Sequence, residues 1–489
     1  MDEASCSNSM ASSYSRSSVQ YRARRESHWN RLADTFSHNG LRGEYHRRLQ
    51  ALYQEIIPPG QAVLEIGCAK GALLAALSPS RGVGVDFSKR MLSQARELHP
   101  SLEFVQGDAH QLGGITGPFD YIIFSDLVDD LWDVQGFLEQ LRKLCAPTTR
   151  IVFNIYSHLW SPPLRLAQRL GLATPMLPQN WMTVADMNGL LHLTGFEPVS
   201  HRAEILFPLA VPCLAALCNR YLAKVEPFSF LDLTHLMVAR PIGLCSICQP
   251  LPTVSVIIPT RNEAGMIAQI LARTPQMGGG TEILFVEGGS TDDTFERIKA
   301  EIARHPQLNC RLLKQNGTGK GDAVRHGFEQ ARGDLLMILD ADLTVAPEDL
   351  PKFYTALAQG RAEFINGVRL VYPRHEKAMR FLNLIGNKFF SIAFTWLLGQ
   401  PIKDTLCGTK ALWRSGYLRI VRQHDHVGAS DPFGDFNLLL GAARCNLKII
   451  DLPVRYGERT YGDTNIHRWS DGWLLLKAVV VAARKLKIN

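Results

Sequence analysis

QAVLEIGCAKGALLAAL, residues 61–77, passes from a short apolar run through two glycines into a second apolar run with helical spacing. A strand, a tight loop and a helix in that order open a βαβ unit. Gly67 and Gly71 let the backbone pass close to a ligand with no Cβ in the way, and Glu65 stands at the end of the strand. A second strand, in GVGVDFSKRML, ends on Asp86, 21 residues after Glu65. A carboxylate at that place is able to grip two ribose hydroxyls. A third strand in LEFVQGDAHQL ends at Asp108 and a fourth follows in FDYIIFSDLVDDL, so successive strands deliver carboxylates to one edge.

Outward from this unit, a chain of 489 residues has room for two or three cores, and 46% hydrophobic with 20% charged residues is ordinary globular usage. The net charge of +7 is spread along the chain, which gives no indication of a nucleic-acid partner. Residues 1–25 (MDEASCSNSMASSYSRSS at the start) are serine-rich without an apolar core, and are expected to be disordered, neither signal peptide nor anchor. No stretch reaches the roughly 18–20 apolar residues of a membrane span, and no transmembrane segment is expected. Ten scattered cysteines point to reduced thiols in a cytoplasm. Cys245 and Cys248 form a CxxC, but only Cys213 and Cys218 are plausible further donors for zinc, and the pair reads as part of a linker. That linker, 242–252, is rich in Pro, Cys and Gly, and on each side of it short strands alternate with helical segments. The expected fold class is therefore α/β in two domains, 26–241 and 253–489, each with a largely parallel sheet.

The ordered set of glycine loop, Asp86 and Asp108 resembles the class I S-adenosylmethionine-dependent methyltransferases, over roughly residues 25–241. The resemblance implies a Rossmann-like sheet and S-adenosyl-L-methionine as cofactor. It places Glu65, Gly67 and Gly71 at the methionine end, Asp86 at the ribose, and Asp108 with Ala109 at the adenine. The usual loop has a glycine where this chain has Ala69. His28, Trp29, Tyr45 and His46 are candidates to close over the cofactor, and packing roles explain each of them as well. The stretch 205–218, ILFPLAVPCLAALC, fits a substrate lid or a contact with a membrane surface.

The second half begins with TVSVIIPTRNEAGMIAQIL, a buried strand ending near Pro259 and Glu263, followed by EILFVEGGSTDDTFERI with Glu287 at its strand end. GTGKGDAVRHGFEQARGD follows, with Lys320 and Arg325, and then LLMILDAD with Asp340 and Asp342 one residue apart. This series resembles family 2 glycosyltransferases of the GT-A fold, and the paired aspartates resemble their DxD element. The resemblance implies an inverting enzyme using a nucleotide-diphosphate sugar. A divalent cation, Mg²⁺ or Mn²⁺, suits such an oxygen-rich site. Asp342 is the expected direct metal ligand, with Asp340 on the ribose or the metal, and Pro259, Glu263, Glu287 and Lys320 on the nucleotide and its phosphates. Relatives carry Asp-Asp-Gly-Ser where this chain has Glu287-Gly288-Gly289-Ser290, which leaves the nucleoside open.

DTLCGTKALWR (404–414) and VRYGERTYGDTN (454–465) resemble segments of dolichyl- and polyprenyl-phosphate sugar synthases. The resemblance implies that Arg459, with Thr464 and with Arg455 nearby, binds an acceptor phosphate. Asp435 opens a helix where relatives with hydroxyl acceptors keep their base; with a phosphate acceptor it only orients groups. Residues 381–399 and 473–489 are amphipathic and fit a membrane interface, and core or dimer helices share that pattern. The expected protein is a cytoplasmic bifunctional enzyme, peripheral on the inner membrane face, that moves a hexose to a polyprenyl phosphate and methylates the sugar or a companion molecule. Two alternatives remain: a tailoring enzyme acting on a soluble hydroxyl scaffold, and a glycosyltransferase with an inactive methyltransferase-like docking domain.

Overall fold

The computed structural model describes the backbone of residues 3–487 apart from 35–42, 172, 210, 212, 226, 244–249, 370–380, 423–433 and 458–467. The chain divides into two compact units, Met1–Leu244 and Cys245–Asn489. Cys245 and Cys248 lie outside the described residues.

The first unit carries β1 (Ala62–Ile66), β2 (Arg81–Asp86), β3 (Glu103–Gln106), β4 (Phe119–Phe124), β5 (Cys145–Tyr156), β6 (Phe196–Glu204) and β7 (Thr234–Pro241). They form one sheet in the order β3-β2-β1-β4-β5-β7-β6. All neighbours are parallel except β7, which runs antiparallel to both β5 and β6. Side chains alternate between two cores because successive strand residues point to opposite faces. Leu64, Ile66, Ile122 and Phe124 enter one core, and Val63, Tyr121 and Ile123 the other. Since both faces are covered, the strands read as continuous apolar runs, as parallel sheets do.

The second unit repeats the device with β8 (Val254–Thr260), β9 (Thr281–Glu287), β10 (Asn309–Lys314), β11 (Leu335–Ile338), β12 (Phe364–Val368), β13 (Lys410–Trp413) and β14 (Ile449–Pro453). Their order is β10-β9-β8-β11-β13-β12-β14, with β13 antiparallel to β11 and β12. Ile257, Leu284 and Leu336 face one core, while Val256, Ile258, Phe285 and Met337 face the other.

Residues 1–25, expected to be disordered, fall largely within a helix over Glu3–Leu32. The correction has a physical cause in the helix's second half. Arg25 is only 6% exposed, its guanidinium donates to the Pro178 carbonyl at 2.6 Å, and it pairs with Asp130 at 3.5 Å. Tyr21 packs edge-on against Trp132 with ring centroids 5.0 Å apart. These polar and aromatic anchors are long-range partners, invisible to a reading that asks only for an apolar stripe.

Helix Phe381–Leu398 has both characters that its sequence allowed. Phe390, Phe394, Leu397 and Leu398 are in the core, whereas Phe389, Ile392 and Trp396 are exposed. In helix Arg468–Leu486, Ala482 is buried and Trp473, Val480 and Val481 are exposed. Among the described residues no helix is long and apolar enough to cross a membrane.

A buried ion pair ties the second unit together beyond its sheet. Asp404, fully buried, accepts from Arg369 Nε at 2.8 Å and from its terminal nitrogen at 2.9 Å, and from Asn387 Nδ2 at 3.1 Å. Burial alone would raise the carboxyl's pKa, but the bidentate guanidinium outweighs it and holds Asp404 below its ordinary value. Asp404→Asn leaves the guanidinium charge buried without its counter-ion. The expected cost is about 3 kcal/mol, read as a lowered denaturant midpoint for the unfolding of the carboxy-terminal unit.

Candidate active sites

In the first unit the loop after β1 is built by its neighbours. Gly67 and Gly71 have φ of 74° and 73°, the left-handed region that glycine occupies freely. A Cβ on Gly71 would lie 2.6 Å from the Phe104 ring, so the position excludes other residues twice over. Ala69 adopts φ 46°, in the left-handed region, and its N–H donates to Asp86 Oδ2 at 2.9 Å. Asp86 Oδ1 accepts from the Ser88 N–H at 2.8 Å. Thus Asp86, at the end of β2, braces the loop after β1.

Glu65 is 3% exposed and accepts from the Leu74 N–H at 3.1 Å. Burial pushes its carboxyl up to about 8, against the Leu74 N–H, with the Asp86 charge pushing the same way. Burial likewise raises Asp86 to about 6, with the Ser88, Ala69 and Phe87 amides opposing. Asp108 differs. Burial raises it, but His110, through ring and backbone, and Arg22 at 2.7 Å together hold it well below the usual carboxylate range.

These groups line one cavity of about 900 Å³. Glu65, Gly67, Asp86, Asp108 and Ala109 all border it, as do Trp29, Tyr45 and His46. His28 instead meets the Pro175 carbonyl at 2.9 Å. Arg22, from the helix expected to be disordered, also lines the cavity; no local pattern announces it. The donor set fits a nucleoside cofactor with a cationic tail. Asp86 offers acceptors to hydroxyls, and Glu65, whose carboxyl burial pushes up to about 8, ionises against a cation brought beside it.

In the second unit Asp340 and Asp342 stand just past the end of β11. Asp340 Oδ1 is 2.6 Å from Lys320 Nζ, and Lys320 is the first residue of helix Lys320–Gln330. Asp342 Oδ1 accepts from the Thr344 N–H at 3.1 Å and the Thr344 hydroxyl at 2.8 Å. A Cβ on Gly408 would overlap both the Asp340 carboxylate and the Lys320 ammonium, so the 404–414 segment meets the aspartates at a glycine. Gly434, with φ 74°, would place a Cβ 2.6 Å from Gly321 Cα, which sets the start of helix Asp435–Arg444 beside Lys320.

The other expected site residues lie on neighbouring strand ends. Pro259 is half-buried on β8, Glu263 is 4% exposed and its N–H donates to the Thr294 hydroxyl at 3.0 Å. Glu287, ending β9, accepts from the Ser290 N–H at 2.5 Å and so shapes its own loop. Arg455 is held by Asp349 at 2.9 Å. Beyond it Tyr456 bridges to Val345, and the Gly457 N–H donates to the Thr344 carbonyl at 2.8 Å. Gly457 thus sits beside Thr344, the residue that holds Asp342. Arg459 and Thr464 lie outside the described residues, as does the side chain of Asp435.

Among the described residues no three His, Cys, Asp or Glu side chains converge as a metal cage. The pair Asp340 and Asp342 fits a cation bound by one or two carboxylates with its remaining positions filled by substrate phosphate and water. Lys320 and the amino-terminal end of its helix supply positive charge for an anion alongside.

Comparison with known proteins matches residues 255–424 to the family model "Glycosyl transferase family 2" and residues 63–148 to "Methyltransferase domain". Glycosyltransferase AglJ of Haloferax volcanii is 32% identical over 225 residues, covering 45% of this chain and 69% of AglJ. Undecaprenyl-phosphate 4-deoxy-4-formamido-L-arabinose transferase of Pseudomonas aeruginosa is 36% identical over 170 residues, covering 34% of this chain and 48% of that protein, so the match spans about half its length. Magnesium protoporphyrin IX methyltransferase of Synechocystis, solved with bound SAH, aligns with a TM-score of 0.29 at 17% identity, over 40% of this chain and 83% of that one. With about two thirds of a relative at this identity covered by the carboxy-terminal half, the chain belongs to glycosyltransferase family 2 and carries a methyltransferase domain ahead of its transferase domain.

Proposed function

We propose that the carboxy-terminal domain transfers a hexose from a nucleotide-diphosphate donor to a polyprenyl phosphate, and that the amino-terminal domain is an active S-adenosylmethionine-dependent methyltransferase. The observation that carries the first part is the meeting of Lys320, Asp340, Gly408 and the start of helix Asp435–Arg444 at one strand edge. Asp340 and Asp342 would hold Mg²⁺ or Mn²⁺, which supplies charge to neutralise a leaving diphosphate. Lys320 and its helix end face that diphosphate, and Pro259, Glu263 and Glu287 border the nucleoside. An acceptor phosphate is already anionic and attacks without giving up a proton, so no base is required of Asp435. Arg459 is the group to orient it. The polyprenyl-phosphate relatives support this acceptor, and the exposed Phe389, Ile392, Trp396 and Trp473 suit a lipid interface.

The test incubates the purified full chain with a panel of nucleotide-sugars and Mg²⁺ or Mn²⁺, with and without a short polyprenyl phosphate. Mass spectrometry is expected to find a polyprenyl-linked hexose that disappears with chelator. Transfer to a soluble hydroxyl acceptor alone would overturn the lipid-phosphate reading.

In the amino-terminal domain, Asp86 is assigned to the ribose hydroxyls, Glu65, Gly67 and Gly71 to the methionine end, and Asp108 with Ala109 to the adenine. Bound S-adenosylmethionine supplies an electrophilic methyl group. Asp86→Ala removes a charge-assisted acceptor, and cofactor affinity is expected to fall by roughly 1.5–3 kcal/mol, measured by calorimetry with SAH. Some of that loss comes through Ala69, whose N–H the carboxylate also holds.

A further inference from the structure

Resting on the reading of the amino-terminal domain as a methyltransferase, we infer that its acceptor is a largely apolar molecule bearing a hydroxyl, with Asp126 as the base for that hydroxyl and Tyr45 and Asn154 as the groups that position Asp126. The cavity of about 900 Å³ is near the upper end of the roughly 300–1,000 Å³ of single-ligand pockets. It has room for a second molecule beside a nucleoside. Away from the loop after β1 it is walled by Trp160, Leu164, Ala167, Met176, Pro208 and Leu209. An apolar body packed on those six residues buries its surface there without desolvating polar groups of its own.

Polar side chains interrupt this lining, Gln168, Thr174 and Gln179 among them, and one cluster is held rigidly. Asp126, two residues past the end of β4, holds φ 53°, in the left-handed region where non-glycine residues are uncommon and often functional. Its Oδ1 accepts from the Tyr45 hydroxyl at 2.7 Å and from Asn154 Nδ2 at 2.5 Å, and its N–H donates to Asn154 Oδ1 at 3.2 Å. Asn154, 1% exposed on β5, is itself held by the Tyr53 hydroxyl at 3.0 Å. Burial, and then the Asp126 charge, push the Tyr45 hydroxyl well above its ordinary range, so it stays a donor. Asp126 and Tyr45 both border the cavity, and Tyr45 packs in the same core as Trp160 and Leu164. The carboxylate is thus fixed on a rigid scaffold in the lining of the cavity.

In the transfer, the acceptor hydroxyl gives its proton to Asp126 as its oxygen forms the new O–CH₃ bond. The S–CH₃ bond of the sulfonium breaks with its electron pair remaining on sulfur, and the proton passes from Asp126 to solvent.

The test uses 4-octylphenol and farnesol, a phenol and an isoprenoid alcohol, titrated calorimetrically into the full chain saturated with SAH and then assayed with S-adenosylmethionine by mass spectrometry. At least one is expected to bind and to be O-methylated, and the one preferred identifies the source of the hydroxyl. Asp126→Asn is expected to lower kcat about 10²- to 10⁴-fold, the range of general-base catalysis, with KM within about threefold. Tyr45→Phe, which keeps the ring, is expected to lower kcat more mildly. Binding of neither probe, binding without methyl transfer, or an undiminished kcat in Asp126→Asn overturns the inference. Failure of the folded chain to bind SAH sinks the methyltransferase reading beneath it instead.

Discussion

Asp342→Asn is expected to reduce sugar transfer about a thousand-fold while leaving SAH affinity unchanged. The loss follows from the proposed metal site. Asparagine keeps the shape and an oxygen for the Thr344 N–H and hydroxyl, which Asp342 Oδ1 now accepts at 3.1 and 2.8 Å, so the loop has no cause to rearrange. What disappears is one negative charge from a site with two such carboxylates. Stabilisation of a leaving diphosphate by a bound cation is worth several kcal/mol, and each 1.36 kcal/mol is tenfold in rate. SAH binding is expected to be spared because each unit has its own core. A variant that keeps its fold yet loses SAH affinity overturns the independence of the two functions.

The alternation of apolar strands with helices made both sheets legible, because each strand is buried on both faces and so appears as an unbroken apolar run. The carboxylates at strand ends were legible for the same reason. Glu65, Asp86, Glu287, Asp340 and Asp342 each follow such a run, where a charge is costly without a task. The left-handed Ala69 shows a limit of motif reading. Its departure from glycine is absorbed by an N–H bond to Asp86, which only the folded loop reveals.

Groups assembled from distant chain segments were not legible. Arg22 reaches Asp108 across 86 residues, and Arg25 reaches Pro178 across 153. A serine-rich segment therefore read as disordered although its helix has specific partners. Asp126 likewise belongs to no motif. Its only local signal is its place just beyond β4, and its meaning depends on Tyr45 and Asn154, 81 and 28 residues away. The Asp404–Arg369 pair is a third case. Its residues are 35 apart, and nothing near either one forecasts a fully buried carboxylate.

Arg459→Ala and Asp435→Asn together are expected to separate the two acceptor chemistries. With a polyprenyl phosphate, Arg459→Ala loses a charge-assisted contact in a desolvated site, which costs about 2–5 kcal/mol, roughly thirty-fold to several thousand-fold in kcat/KM. Asp435→Asn is then comparatively mild, since a phosphate oxygen attacks without being deprotonated. With a hydroxyl acceptor the order reverses: the base contributes roughly 10²- to 10⁴-fold, and Arg459 has no anion to meet. The described residues that flank the two positions lie at the second unit's strand ends. Gly434 against Gly321 sets the first turn of helix Asp435–Arg444 beside Lys320, while the Gly457 N–H donates to the carbonyl of Thr344, the residue that also donates to Asp342. Measured with saturating metal and donor, a severe Asp435→Asn defect beside a near-normal Arg459→Ala enzyme overturns the lipid-phosphate reading in favour of a hydroxyl acceptor.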